Sequence, residues 1–269
     1  MVKSDRVRII PRLDIKGPNL VKGVHMEGLR IMGEPGEFVR YYYENGADEI
    51  IYIDTVASLY GRNHLTEIVK KAASETFIPL TVGGGIRTVE DIQTLLECGA
   101  DKVAINTAAI QDPSFIRNAI KRFGSQCIVV SIHAQRRGPN DYECLTDNAR
   151  ERTGVNVADW VKQVVEMDVG EILLTSVDRD GTAAGFDEEL IRKVAPLASI
   201  PLIISGGAGS PKQVREILEI DGIDAVAIAS MFHYHHQALE ANKLVLRDTL
   251  VTNSPSELKA FLASEKVAS

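Results

Sequence analysis

Short apolar runs rich in Val and Ile alternate along the chain with longer stretches in which apolar residues recur at helical spacing. The short runs predict buried strands and the longer stretches predict amphipathic helices. Eight strands are predicted in this way: RIIPRLD, EIIYID, PLTV, KVAIN, CIVVSIH, EILLTSV, PLIIS and AVAIAS. Strands that alternate with helices are typical of a parallel sheet, and eight such units fit a closed (β/α)8 TIM barrel better than an open sheet.

The second half of the chain repeats the first. VGGGIRTVEDIQTLLECGADKVAINTA matches SGGAGSPKQVREILEIDGIDAVAIASM without a gap, which aligns Gly83 with Gly206. The fold is therefore predicted to be a barrel of two similar halves. We predict one domain over residues 1–269, with half-barrels at about 1–123 and 124–252 and a C-terminal helical extension at 253–269.

The repeat also relates the end of the first strand to the end of the fifth. Extended backwards, it pairs Asp14 with His133. Side chains at the carboxyl ends of barrel strands surround one cavity, so we expect these two to face each other across it. The longest polar insertion, Arg136–Val157, follows the fifth strand and is predicted to form a mobile loop over that cavity.

The composition of the chain limits the kinds of binding partner and the cellular compartment that we expect for it. The net charge of −7 argues against nucleic acid, and no apolar run approaches the ~20 residues of a membrane span. Cys98, Cys127 and Cys144 are too few and too irregularly spaced for a disulfide framework or a zinc site, which suggests a reducing cytoplasm. The run FHYHH lacks a nearby carboxylate or cysteine, so no metal is expected there. We predict a cytoplasmic protein with no cofactor.

Two glycine-rich turns at equivalent points of the repeat suggest the ligand. Free backbone N–H groups joined to a helix N-terminus bind phosphate. One predicted phosphate site holds Gly85, Asn106 and Thr107, and the other holds Gly206, Gly207, Ala229 and Ser230. Asp180 and Gly181 can hold the second phosphate or the sugar hydroxyls, and Asp54 and Thr175 are also predicted to bind the substrate. Two such sites on opposite sides of a barrel imply an elongated substrate that is phosphorylated at both ends.

Nearly the whole chain carries blocks of one known family, among them LDIKG, LVKG, GADEIIYID, TVGGGI, GADKVAINTAA, GEILLTSVDRDGT and AIASMFH. It resembles the histidine-biosynthesis barrels, most closely the cyclase subunit of imidazole glycerol phosphate synthase. The resemblance implies an ammonia-dependent lyase that converts a bisphosphorylated aminoimidazole carboxamide ribonucleotide (PRFAR) to imidazole glycerol phosphate and AICAR. It also implies a heterodimer with a glutamine amidotransferase (glutaminase) subunit, which supplies the ammonia.

The resemblance places catalysis on Asp14, with Lys22 in the loop that follows. The family has a second aspartate at the end of the fifth strand, where this chain has His133. An imidazole with a pKa near ~6.5 can hold and release a proton at neutral pH, so His133 is predicted to act as a general acid. The competing interpretation is a histidine that bonds to a neighbouring loop and takes no part in the chemistry.

At the opposite, N-terminal face, the resemblance implies a gate through which ammonia enters. Its residues would be Arg8, Glu49, Lys102 and Glu171, with Asp101 near the contact with the glutaminase. From the residues alone, two acids and two bases at strand beginnings also fit a salt-bridge plug that stabilises the barrel floor.

Three function classes are left open. The first is the cyclase of histidine biosynthesis. The second is a paralogous ammonia-using synthase with another substrate, for example one that amidinates a surface-polysaccharide sugar. The third is a barrel that has lost catalysis, against which Asp14, Lys22 and the charged gate argue. Turnover of the cyclase substrate with ammonia would separate them.

Overall fold

The computed structural model describes residues 7–57, 65–241 and 253–264. Within these ranges the strands in chain order are β1 (Arg8–Lys16), β2 (Asn19–Val24), β3 (Glu27–Gly33), β4 (Ile50–Asp54), β5 (Leu80–Gly83), β6 (Lys102–Ile105), β7 (Ile128–Gly138), β8 (Asp141–Thr146), β9 (Glu151–Asn156), β10 (Glu171–Ser176), β11 (Leu202–Ser205) and β12 (Ala225–Ile228). Eight of them, β1, β4 to β7 and β10 to β12, pair in parallel in that order. The pairing of β12 with β1 closes the barrel and confirms the predicted (β/α)8 fold.

Helices follow the barrel strands and cover the outside of the barrel. Their bounds are α1 (Pro35–Glu44), α2 (Leu65–Glu75), α3 (Val89–Glu97), α4 (Thr107–Gln111), α5 (Pro113–Phe123), α6 (Val157–Glu166), α7 (Glu188–Val194), α8 (Pro211–Ile217), α9 (Ser230–Ala241) and α10 (Pro255–Ser264). The predicted starts are observed: Asp112 and Ser210 accept hydrogen bonds from backbone N–H groups of α5 and α8. Residues 265–269 of the predicted C-terminal extension lie outside the described residues.

Two antiparallel hairpins extend the barrel at equivalent points of its halves. β2 and β3 continue from β1, and β8 and β9 continue from β7. The prediction of a mobile loop over 136–157 is therefore wrong, because β7 runs on to Gly138 and the polar residues that follow form a hairpin. Thr153 Oγ1, for example, donates a 2.6 Å hydrogen bond to the carbonyl of Cys144. Each hairpin stands beside the strand that carries Asp14 or His133.

The barrel interior is packed in layers, because alternate residues of each strand point inward. The lowest layer, at the strand beginnings, is charged. Above it lies an apolar layer of Ile10, Ile51, Ile53, Ala104, Val129, Leu173, Ile203, Ala225 and Ala227. β1 shows the sequence of layers best, since Arg8, Ile10, Arg12 and Asp14 succeed one another along its inner face. The polar residues of the upper layers thus sit on a dry, packed floor.

No helix in the described ranges is both long and apolar enough to cross a membrane.

Candidate active site

Asp14 lies at the carboxyl end of β1 within a buried cluster of four charged side chains. Its Oδ1 accepts a 3.1 Å hydrogen bond from Nε of Arg12, and its Oδ2 lies 3.5 Å from Nζ of Lys22. Lys22 Nζ also donates to both carboxylate oxygens of Asp180, at 2.9 and 2.8 Å. Burial would raise the pKa of Asp14, but the charges of Arg12 and Lys22 outweigh it and lower the pKa below its usual value. Asp14 is thus a carboxylate at neutral pH.

His133 lies on β7, four strands from β1 in either direction around the barrel, and thus opposite Asp14. It is 5% exposed, and its buried Nδ1 has no hydrogen-bond partner among the residues that the structure describes. Burial and then the charge of Arg12 lower the pKa of His133 to about 3. The imidazole is therefore neutral at pH 7, which differs from the sequence-based expectation of a group that titrates near neutrality.

The first glycine turn lines a pocket at the ends of β4 to β7. Gly85, Asn106 and Thr107 line it together with Asp54 and His133. Asn106 is fixed by hydrogen bonds from its Nδ2 to two backbone carbonyls of the second half-barrel, and the Thr107 hydroxyl accepts from a backbone N–H there. Asp54 uses one carboxylate oxygen to accept two backbone N–H groups of the following turn, at 2.9 Å each. It therefore shapes this wall as well as lining it.

The second glycine turn lines a pocket on the other side of the barrel mouth. The residues that the sequence predicted there and that line it are Asp180, Gly181, Gly206, Gly207, Ala229 and Ser230, and Lys22 and Ser205 join them. Ser230 is the first residue of α9, so the N-terminus of a helix borders the pocket. Gly207 has a φ of +104°, and a Cβ there would lie 2.1 Å from the carbonyl oxygen of Gly185. Glycine is thus required by both conformation and space.

Thr175 is the predicted substrate residue that lines neither pocket. It is fully buried, and its hydroxyl accepts a 2.9 Å hydrogen bond from Nη1 of Arg12. In this structure Thr175 is linked to Asp14 through Arg12 and does not line a pocket itself.

The β2–β3 hairpin that carries Lys22 closes over the second pocket. Besides the Lys22–Asp180 contact, the backbone N–H of His25 donates to the carbonyl of Asp180 at 2.8 Å. Gly181 packs directly under the hairpin, since a Cβ at this position would lie 2.2 Å from the carbonyl oxygen of Gly23. The hairpin and the Asp180 loop are therefore fastened together at the edge of the site.

At the N-terminal end of the barrel, the four predicted gate residues form a closed ring of alternating charge. Arg8 Nη1 lies 2.5 Å from Glu49 and 2.8 Å from Glu171, and Lys102 Nζ lies 3.2 and 3.0 Å from the same two carboxylates. The two acids are about nine-tenths buried. Four ion pairs between side chains therefore join β1, β6 and β10 to Glu49, just before β4, at this end of the barrel.

The histidines of FHYHH belong to α9 and pack against α1. His233 is fully buried, and its Nδ1 shares a 2.5 Å hydrogen bond with the hydroxyl of Tyr42. His236 stacks on Tyr41 at 4.5 Å between ring centroids. No group of three or more His, Cys, Asp or Glu in the described part of the chain is arranged to hold a metal.

Two cations near the site were missed by the sequence reasoning. Arg12 is 2% exposed and sits at the centre of the barrel; its sequence signal was the alternate-residue spacing from Asp14. Arg87 lines the first pocket; its signal was a basic residue directly after the glycine turn. Arg87 thus borders a predicted phosphate site, whereas Arg12 is buried in the polar centre beside Asp14.

A family model described as histidine biosynthesis protein matches residues 8–238. A protein of Legionella pneumophila named imidazole glycerol phosphate synthase subunit HisF is 60% identical over 203 residues, which cover 76% of this chain and 96% of that protein. A protein of the same name from Wolinella succinogenes is 50% identical over 228 residues, which cover 84% of this chain and 89% of the relative.

Proposed function

The chain belongs to the histidine biosynthesis protein family, and we propose that it is the ammonia-dependent cyclase subunit of an imidazole glycerol phosphate synthase. The observation that carries the proposal is the pair of glycine-lined pockets on opposite sides of the barrel mouth, with His133 in the lining of the first and Asp14 beside Lys22 of the second. A substrate with a phosphate at each end would span this distance, and its reactive middle would lie over the two side chains.

Phosphate binding would rest mainly on backbone groups. In the first pocket the turn at Gly85 and the residues Asn106 and Thr107 offer N–H and side-chain donors, and Arg87 adds a positive charge. In the second pocket the turn at Gly207 and the start of α9 at Ser230 provide the equivalent arrangement. Both ends would be anchored by rigid backbone, which holds the reacting atoms in place.

The charges at the centre suggest how the roles divide. Asp14 is ionised and can accept a proton, while Lys22 approaches it from the hairpin. His133 is neutral, because burial and the charge of Arg12 lower its pKa to about 3, and its Nδ1, which has no partner among the described residues, offers a lone pair to a proton of the reacting molecules. Proton release to a leaving group would follow only after the imidazole has taken a proton from the reacting molecules. We propose Asp14, Lys22 and His133 as the catalytic residues in these roles.

A glutaminase subunit is proposed to dock on the N-terminal face and to deliver ammonia through the ring of Arg8, Glu49, Lys102 and Glu171. Phe77 supports this docking face, because it is 85% exposed on the segment that leads into β5. Asp101, on the turn before β6, also belongs to this face, and its carboxylate accepts the backbone N–H of Leu80. An exposed aromatic ring beside polar groups is typical of an interface anchor.

The three cysteines are free thiols, in keeping with a proposed location in the cytoplasm.

A second candidate function is favoured by His133 itself. A paralogous synthase could use the same ammonia route and phosphate pockets on another substrate, and a neutral imidazole opposite Asp14 is the feature that would mark such a change. The two candidates differ in one measurable property, which is turnover of PRFAR.

The test supplies the purified chain with PRFAR and ammonium salts and follows the release of AICAR. We expect turnover that is lost in Asp14→Asn and retained in Asp159→Asn, a matched change at an exposed carboxylate of α6. Saturating binding of PRFAR without any turnover would reject the cyclase and favour the paralogous synthase. Failure to bind a bisphosphate at either pocket would reject both.

A further inference from the structure

Arg12 reaches across the barrel at the level just below Asp14. Its backbone is in β1, while Nη1 donates to Thr175 of β10 at 2.9 Å and to Ser205 of β11 at 3.5 Å. Nε donates to Asp14. These three contacts, on three different strands, fix the plane of the guanidinium near the barrel axis. The side chain is 2% exposed, so it acts in a region from which bulk water is excluded.

One donor nitrogen of this fixed guanidinium is unused. Nη2 of Arg12 is buried and has no hydrogen-bond partner among the described residues. A buried N–H group without a partner is costly, and folded proteins satisfy nearly all such groups. A guanidinium that served only to hold the barrel together would gain by pairing this nitrogen as well. An unpaired donor held in place at an active centre is the arrangement that stabilises negative charge arising in a reaction.

His133, in the same layer of the barrel, carries a second buried polar atom that lacks a hydrogen-bond partner among the described residues. Thr175, which accepts from Arg12, is the register partner of His133 on the neighbouring strand. The Nδ1 atom of His133 is likewise buried and unpartnered. The positive charge of Arg12 is close enough to lower the pKa of this imidazole. A donor that cannot lose its proton and a neutral acceptor thus lie together, and nothing in the described protein satisfies either.

We propose that Arg12 is a catalytic residue that donates a hydrogen bond from Nη2 to the substrate oxygen on which negative charge develops when ammonia adds to a carbonyl carbon, with His133 as the base. This inference rests on the proposed function. The lone pair of ammonia forms the C–N bond, and the π electrons of the C=O bond move to oxygen. His133 takes one proton from the new ammonium group and returns it to the oxygen. The products of the step are a neutral carbinolamine and unchanged side chains.

The inference predicts a division between kcat and KM. The two phosphates would be bound by glycine turns away from Arg12, so its loss should leave KM for PRFAR within about threefold. Removing one donor to a developing oxyanion typically lowers kcat by about 10² to 10³. The variant is Arg12→Met, which keeps much of the length and removes every donor. Arg122→Met is the matched control, because Arg122 lies half exposed on the outer helix α5.

Arg12→Met also leaves Asp14 without one of its two cations, so the variant can fail to fold. Arg12→Lys keeps the positive charge but has a single nitrogen for the partners that Arg12 now contacts. We expect a folded protein whose kcat falls at least tenfold while PRFAR affinity, measured by calorimetry, is kept. Wild-type kcat in Arg12→Lys would overturn the inference, as would a loss confined to KM.

A pH profile separates a chemical role from a structural one. The charged and titratable groups that bear on His133 are Arg12, Asp14 and Asp180, and loss of the Arg12 charge raises the pKa of the imidazole. The acid limb of kcat should therefore move to higher pH in Arg12→Met, whereas an unchanged limb would contradict the pairing. If the wild type binds PRFAR and does not turn it over, both the proposed function and this inference fall. If the wild type turns over and the arginine variants match it, the inference alone falls.

Discussion

Acid is expected to destabilise the fold through two buried histidines, His133 and His233. Burial is the main cause that lowers the pKa of each to about 3, compared with 6.5 for an unperturbed histidine. Below pH 6.5 these two histidines therefore become protonated in the unfolded chain, while in the folded chain they stay neutral. Since the folded-state pKa is the lower one, the stability contribution is complete above pH 6.5 and is lost as pH falls towards 3.

The size of the effect follows from the number of protons. Each histidine changes the free energy of unfolding by at most about 1.4 kcal/mol per pH unit. Between pH 6.5 and pH 5 one histidine removes about 2 kcal/mol and both together about 4 kcal/mol. Domains of ordinary stability unfold with about 5–15 kcal/mol, so this is a large share. Asp14 acts in the same direction, but only below about pH 4, where an aspartate of the unfolded chain begins to take up a proton and the folded chain, with its lower pKa, does not.

The assay is urea denaturation at pH 7, 6 and 5, followed by the fluorescence of Trp160, the single and buried tryptophan. His133→Gln and His233→Gln should each remove about half of the pH dependence. His235→Gln serves as the control, because this histidine lies at the partly exposed surface of α9. A pH dependence between 7 and 5 that is equal in wild type and both variants would refute the conclusion that these imidazoles are neutral.

Four further outcomes test the site. Asp14→Asn should lower kcat with PRFAR by about 10² to 10⁴ and leave KM little changed, measured in steady-state kinetics. Lys102→Met should impair glutamine-driven turnover more than ammonia-driven turnover, and equal losses would favour a structural plug. Gly207→Ala should lower the melting temperature and weaken bisphosphate binding in calorimetry, because the added Cβ meets the Gly185 carbonyl. Phe77→Glu should weaken glutaminase binding at least tenfold with ammonia-driven turnover unchanged.

The sequence predicted those features that depend on local pattern. Val- and Ile-rich runs mark the barrel strands, because a parallel strand covered on both faces must be apolar throughout. The repeat placed Gly206 opposite Gly83, and the structure puts one pocket beside each glycine turn. The gate residues were named through the family resemblance, and the structure brings them together because each stands at or just before the beginning of a strand, and such positions share one end of the barrel.

Features that depend on long side chains crossing the barrel could not be predicted. Arg12 contacts Thr175, 163 positions away, and no periodicity reports such a distance. The β8–β9 hairpin was missed for a different reason. Its residues are polar and contain turn formers, so they fit a loop, whereas pairing with β7 gives them a strand partner. The pKa of His133 also depends on this crossing, because Arg12 is the nearby charge that lowers it after burial.

The difference between the two half-barrels follows from the charge balance at their shared centre. Arg12 and Lys22 carry two positive charges, and Asp14 and Asp180 carry two negative ones, all buried. A carboxylate at position 133 would add an uncompensated charge to this dry region, or it would pair with Nη2 of Arg12 and occupy the free donor. A neutral imidazole adds a proton acceptor without net charge. Because Arg12 stands in the first half of the barrel, His133 opposite Asp14 leaves the buried charges balanced and leaves Nη2 of Arg12 free to donate a hydrogen bond.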